Sequence, residues 1–174
     1  NSTFSLSDKY GAIESFYSFL PTIYENTDYG VISVEPSSKA SVYIHMKGNR
    51  GVFYDVAYPS YVTVVLAAQP ENKKVFTNIE FNSYAEVSGV EDDYVTIDEI
   101  RLWTSYQNTG TISLIQPTNL RRRFRTWRYQ VSKKDGLRLL DYFLFTKFEF
   151  NNSLAVDKYL RLDDITFHYL FPMI

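Results

Sequence analysis

Along this chain apolar and polar residues alternate with a period of two, broken by aromatic runs, and no segment holds an i, i+3, i+4, i+7 stripe for three turns. The pattern predicts an all-β protein. Four early strands are expected, "YGVISVEP" (29–36), "ASVYIHMKG" (40–48), "GVFYDVAY" (51–58) and "YVTVVLAA" (61–68), with "SSK" (37–39) and "GNRG" (48–51) as turns. A short helical turn is expected only in "DKYGAIESFYSFLP" (8–21), where Gly11 and the β-favouring aromatics oppose it.

Beyond the polar cluster "QPENKK" (69–74) the strands lengthen. In "VFTNIEFNSYAEV" (75–87), Val75, Ile79, Phe81, Ala85 and Val87 share one face, and Asn78, Glu80, Asn82 and Glu86 the other. Then follow "YVTIDEIRLWTSYQ" (94–107), "TGTISLI" (109–115), the arginine-rich strand "NLRRRFRTWRYQV" (119–131), the turn "SKKDG" (132–136), "LRLLDYFLFTKFEFN" (137–151) and "YLRLDDITFHYLF" (159–171). Segment 137–151 is apolar on both faces, which predicts a central, doubly covered strand. In the last strand the apolar parity changes at Asp163 and Asp164, which predicts a β-bulge there. Together these elements predict an antiparallel, jelly-roll-like β-sandwich over residues 71–174, with a smaller N-terminal sheet or hairpin layer over residues 1–70.

Composition narrows the function classes. Aromatics make up 17% of the chain, with 15 Tyr, 13 Phe and 2 Trp, enough to fill a wide sandwich core and leave rings over for contacts. There is no cysteine, which excludes disulfides, thiolate metal sites and a cysteine nucleophile. His45 and His168 are the only histidines and neither sits in a metal-ligand or nucleophile motif. No Gly-rich phosphate loop occurs and no cofactor is expected. No apolar run reaches the length of a membrane helix, so no membrane partner is expected. The chain starts at Asn1 rather than Met, which suggests an excised or processed segment.

The arginines are the sharpest feature. If 119–131 is one strand, Arg121, Arg123, Arg125, Trp127, Tyr129 and Val131 share a face, while Arg122, Phe124, Thr126, Arg128 and Gln130 share the other. Arginine interleaved with aromatics suits nucleic acid, but the net charge of −2 argues against a nucleic-acid footprint, and no sequence-specific nucleic acid is expected. Two readings remain open. The guanidiniums of Arg121, Arg122, Arg123, Arg125 and Arg128 pair with carboxylates such as Glu80, Glu86, Glu99 and Glu149 and tie strands together, or they and Trp127 form a contact with another protein. The acidic runs "GVEDDY" (89–94) and "LDD" (162–164) read as solvated turns, with oxygen ligation of Ca²⁺ as the sharper alternative. A rival reading from another class is a carbohydrate-binding module in which Tyr84, Tyr94, Trp103, Tyr106 and Trp127 stack on a glycan.

Several phrases in fixed order carry a resemblance: "SFYSFLPTIYENTDYGVISVE", "YPSYVTVVLAAQPENKKVFTNIEFNS", "DEIRLWTSYQNTGTISL", "NLRRRFRTWRYQVSK" and "LRLDDITFHYLF". From about residue 14 to its end the chain resembles the C-terminal part of the large tail structural proteins of crAss-like phages, the stabilization or muzzle proteins. The matching elements are Phe16, Tyr17, Ser18 and Pro21, then Lys74 through Phe81, then Arg121 through Arg128. The resemblance implies a non-enzymatic building block of the distal tail of a short-tailed virion, with other tail subunits as partners in a homo-oligomeric ring. Members of that family are much longer than this chain.

Overall fold

The computed structural model describes residues 3–36, 41–45, 47–133 and 136–172. Among them every regular element is a β-strand and every strand pairing is antiparallel, as the alternation predicts. The chain forms two compact units, one of residues up to Tyr58 with Asn152–Asp157, the other of Pro59–Asn151 with Lys158 onward.

The smaller unit holds three small sheets. β1 (Thr3–Ser7) pairs with β2 (Ala12–Tyr17); β3 (Ile23–Thr27), β4 (Gly30–Val34) and β5 (Val42–Ile44) form a second; β6 (Val52–Phe53) pairs with β7 (Val56–Ala57). The helical turn expected in 8–21 is therefore a hairpin arm. Gly11, at φ 59°, makes the reversal, and the alternating aromatics after it favour an extended backbone. The turn expected at 37–39 lies outside the described residues, as do 134 and 135 of the "SKKDG" turn. Segment 152–157 is tied in by Asn49 Nδ2 donating to Leu154 O (2.9 Å), Asn152 Nδ2 donating to Tyr58 O (2.6 Å) and an Arg50–Asp157 ion pair (2.7 Å). A Cβ at Gly51 would lie 1.9 Å from Asn152 Nδ2, so this close approach requires glycine.

The larger unit is a β-sandwich. One sheet runs β12 (Asn108–Ser113), β11 (Glu99–Trp103), β16 (Leu144–Phe150), β8 (Ser60–Leu66). Ser60–Leu66, which the sequence pattern groups with the N-terminal layer, is thus paired with β16 along its whole length. The other sheet is organised by β9 (Lys74–Val87). β17 (Lys158–Leu170) covers one edge of it, and β15 (Leu140–Asp141), β14 (Thr126–Gln130) and β10 (Val90–Glu91) cover the opposite edge in succession, with β13 (Leu120–Arg123) outside β14. The core lies between the sheets, where Ile79, Phe81, Trp127 and Tyr129 of one meet Ile100, Leu102, Leu144 and Phe148 of the other.

Two bulges set the facing of the long strands. β17 pairs Leu162 with Ser83 and Asp164 with Asn82, so Asp163 is the extra residue and Ile165 and Phe167 return to the core side, as the parity change predicts. The second bulge corrects an expectation. Asn78 and Phe76 oppose His168 and Tyr169 with Thr77 between them, so Phe76 and Lys74 face inward in place of Val75. Segment 137–151 is also not one doubly covered strand. Leu140–Asp141 pairs with β9, the chain then crosses between the sheets, and β16 is central in the other one. Its outer face keeps only partial cover, with Phe145 stacked on Trp103 (5.3 Å, 7°) and Lys147 bonded to Glu149. The segment 94–107 is likewise extended only over Glu99–Trp103.

Candidate functional site

The arginine segment is a tight hairpin rather than a single strand. Leu120, Arg121, Arg122 and Arg123 lie opposite Tyr129, Arg128, Trp127 and Thr126, and Phe124 and Arg125 form the turn. Phe124 takes φ 58°, a value glycine adopts freely and bulky side chains rarely do. The reversal corrects the expected facing. Leu120, Arg122, Trp127 and Tyr129 point to the core side, and Arg121, Arg123, Thr126, Arg128 and Gln130 point away from it. Trp127 is 1% exposed, so it is a core residue with no free face for a glycan.

The five arginines have separate surroundings. Arg122 donates to the carbonyl and carboxylate of Asp93, at 2.6 Å for Oδ1, and its guanidinium lies 5.3 Å from the centre of the Trp127 ring. Arg128 pairs with Glu80 at 3.4 Å, and Glu80 also meets His168 Nε2 at 3.2 Å. Arg123 lies over the Phe124 ring. Among the described residues Arg121, Arg123 and Arg125 make no ion pair. Arg122 and Arg128 thus each have a carboxylate partner within the fold, and Glu80 is among the acceptors named above from the sequence. Asp93, the other acceptor, is brought in by the return of the chain after β10.

Beside the hairpin tip is a cleft of about 320 Å³. On the hairpin side of β9, pairing with β14 stops at Asn82 and pairing with β10 resumes at Glu86. The cleft opens there, and both acidic runs reach it, through Glu91, Asp92 and Asp93 and through Asp163 and Asp164. Arg161 holds Asp163 at 2.6 Å, and this carboxylate raises the guanidinium pKa above its ordinary value. Asn82 Nδ2 donates to Asp164 at 2.8 Å. Asp92 accepts from the Tyr94 backbone N–H. Among the described residues no three carboxylate or imidazole groups converge as metal ligands.

The aromatic candidates are dispersed. Tyr84 stands on β9 at the cleft, where its hydroxyl donates to Glu86 (2.8 Å), a bond that raises its pKa, and Arg161 covers its ring. Tyr94 follows the acidic turn and is 79% exposed. Trp103 is on the opposite sheet against Phe145, and Tyr106 is exposed in the turn after it.

Three polar arrangements escaped sequence reasoning. Lys74 is fully buried, and its Nζ donates to the carbonyls of Gln69, Asn72 and Tyr142 at 2.7–2.9 Å, while burial pushes its pKa down. Asp141, opposite it in the ladder, is raised by burial but held below the ordinary carboxylate range by backbone N–H groups of Ser105 and Tyr142. In the smaller unit, buried Ser33 has its Oγ 2.6 Å from His45 Nε2 and 2.7 Å from the Tyr54 hydroxyl. His45, directly after the edge strand β5, stacks on Phe19 (5.3 Å) and borders an aromatic cavity of about 650 Å³. Burial lowers its pKa. A lysine closing a polar run and a histidine in an alternating segment carry no sequence signal of partners such as Tyr142, Ser33 and Tyr54, which come from other segments of the chain.

Comparison with known proteins adds family membership. The family described as the crassvirus muzzle protein C-terminal domain matches residues 48–134, from the "GNRG" turn through the arginine hairpin. The muzzle protein of Bacteroides phage crAss001 is 29% identical over 90 residues, covering 49% of this chain and 6% of that protein. The chain thus corresponds to a small fraction of the length of that relative. The matched stretch, half of the chain, contains β9, the acidic turn and the hairpin that frame the cleft, and the chain belongs to the crassvirus muzzle protein C-terminal domain family.

Proposed function

We propose that this chain is a non-enzymatic structural domain of a phage virion, part of a muzzle assembly at the distal tail, where it joins neighbouring tail subunits, with homo-oligomeric ring packing in the full-length protein. The observation that carries the reading is the division of labour within the arginine hairpin. Its inner side, Leu120, Trp127 and Tyr129, is locked into the sandwich core, while Arg121 and Arg123 project from a rigid ladder without acidic partners among the described residues. Fixed guanidiniums beside an exposed aromatic are a frequent composition of protein contacts. Family membership supports the virion setting, since the relative is a phage muzzle protein.

Immunogold electron microscopy of phage particles, with an antibody raised against this chain, tests the proposal. Gold clustered at the tail end is the expected result. Unlabelled tails, in broken particles whose epitope is shown to be accessible, would overturn it.

A further inference from the structure

The outer face of the sheet built on β9 is divided by charge. Cross-strand pairing sets two rows on it, Arg121, Arg128, Glu80, Thr166 and Arg123, Thr126, Asn82, Asp164. Guanidiniums therefore stand on β13 and β14, and the carboxylates of Asp163 and Asp164 on β17, about 14 Å from β13 at three strand spacings, with Arg161 beside them holding Asp163. Asp163 stands beside Asp164 in the bulge, while Glu91 and Asp92 line the same cleft from the hairpin side of β9.

Two features of this face cost stability within the isolated chain. Arg121 lies directly opposite Arg128, a like-charge pair in the ladder. Phe124 holds a bulky ring at φ 58° and leaves it 89% exposed at the hairpin tip, so the strain gains no burial. Both are accounted for by a partner that brings carboxylates to the arginines and covers the ring.

The charge division selects the partner. A polyanion such as nucleic acid satisfies the arginine edge and is repelled by the acidic one. A second copy of this chain satisfies both. Rotation by half a turn about an axis in the contact plane, parallel to the strands, lays the arginine edge of each copy over the acidic edge of the other. A two-fold contact requires such a self-complementary patch. We infer that this face docks a second copy of the chain, with Arg123 of each copy meeting Asp164 of the other and Arg121, one row along, standing beside the same carboxylate. The inference rests on the assembly reading for its place in the particle; a two-fold contact closes on itself, so it joins copies in addition to the contacts that close a ring, and it is measurable in solution independently of where the antibody binds.

The test uses the full 174-residue chain in sedimentation velocity at low and high salt, with two charge-reversed variants. The wild type is expected to dimerise at low salt and to weaken about tenfold or more at 0.5 M salt, where the Debye length falls to roughly 4 Å. The Arg121→Glu/Arg123→Glu variant and the Asp163→Lys/Asp164→Lys variant, each with an unchanged circular dichroism spectrum, are expected to be monomers. An equimolar mixture of the two is expected to restore the dimer, because every reversed contact then meets its opposite. Wild type that stays monomeric at about 200 μM and low salt overturns the inference, as does a mixture that fails to associate. Binding of a 20-nucleotide single-stranded DNA by monomeric wild type would assign the face to a polyanion instead.

Discussion

The two units of this protein solve the same problem with different means. The larger unit has strands of up to 14 residues, long enough to bury Phe76, Ile79, Phe81, Trp127, Leu144 and Phe148 almost completely between two sheets. The smaller unit has strands of two to six residues, and its centre is built from ring contacts, Phe19 on Phe53 at 4.1 Å and on His45 at 5.3 Å, with Ser33 bridging His45 and Tyr54. It leaves Phe4, Phe16, Ile23 and Tyr29 at least half exposed. Short strands cannot close an apolar interior, so polar bonds and ring edges carry more of the organisation there. The larger unit is thus the part expected to resist perturbation, and the smaller unit the part expected to respond to conditions.

The largest expected effect comes from Trp127→Ala, which removes the biggest side chain from the sandwich core. It should destabilise the larger unit by about 3–5 kcal/mol in denaturant titration. A loss under about 1 kcal/mol would mean the sandwich is less tightly packed than its burial indicates and would remove the contrast between the units. Next is Lys74→Met, which keeps the aliphatic stem but leaves three carbonyls without their donor. A loss of about 2–3 kcal/mol is expected, because unmet buried acceptors cost more than the lost bond alone. A neutral result would show that the Lys74 network is dispensable packing.

Acidification sharpens the comparison from the other side. Burial lowers the folded-state pKa of His45 below the ordinary value of about 6.5. The stability it contributes is therefore complete above that ordinary value and is lost as pH falls through the depressed folded value, since the unfolded chain takes up the proton first. Hydrogen exchange at pH 7.5 and pH 5 should show the amides of β4 and β5 losing protection while those of β9 and β16 keep theirs. Equal loss in both units would dissolve the distinction. The smallest effect is expected at Thr146, fully buried on β16 with its hydroxyl oxygen lacking a partner among the described residues. Thr146→Val should raise stability by about 0.5–1 kcal/mol, and a loss of that size would reveal an unseen bond to the hydroxyl.

Much of this architecture was legible before any coordinates. Period-two alternation is local, so it located most strands, and the parity change at Asp163 announced the β17 bulge because only one side of that strand can be apolar. The bulge at Thr77 was hidden, because Val75 and Phe76 are both apolar and either can face the core. The arginine segment misled for a related reason. Between Leu120 and Gln130 it contains no glycine or asparagine to mark a turn, and Phe124 supplies the left-handed residue against its own preference. Whichever strand pairs with a stretch then decides its facing, and pairing is a long-range property.

Sequence alone determined the β class, the exclusion of cysteine chemistry, the crowding of arginines and aromatics and the resemblance to a phage tail family, because each resides in composition, period or motif order. Tertiary structure decided which arginines are spent inside the fold. Arg122 meets Asp93 from 29 positions away, and Arg128 meets Glu80 across a strand pair, while Arg121 and Arg123 are left facing outward. Charge pairing depends on distance in space, and a run of identical residues holds no record of which of them the fold will bring within reach of a carboxylate.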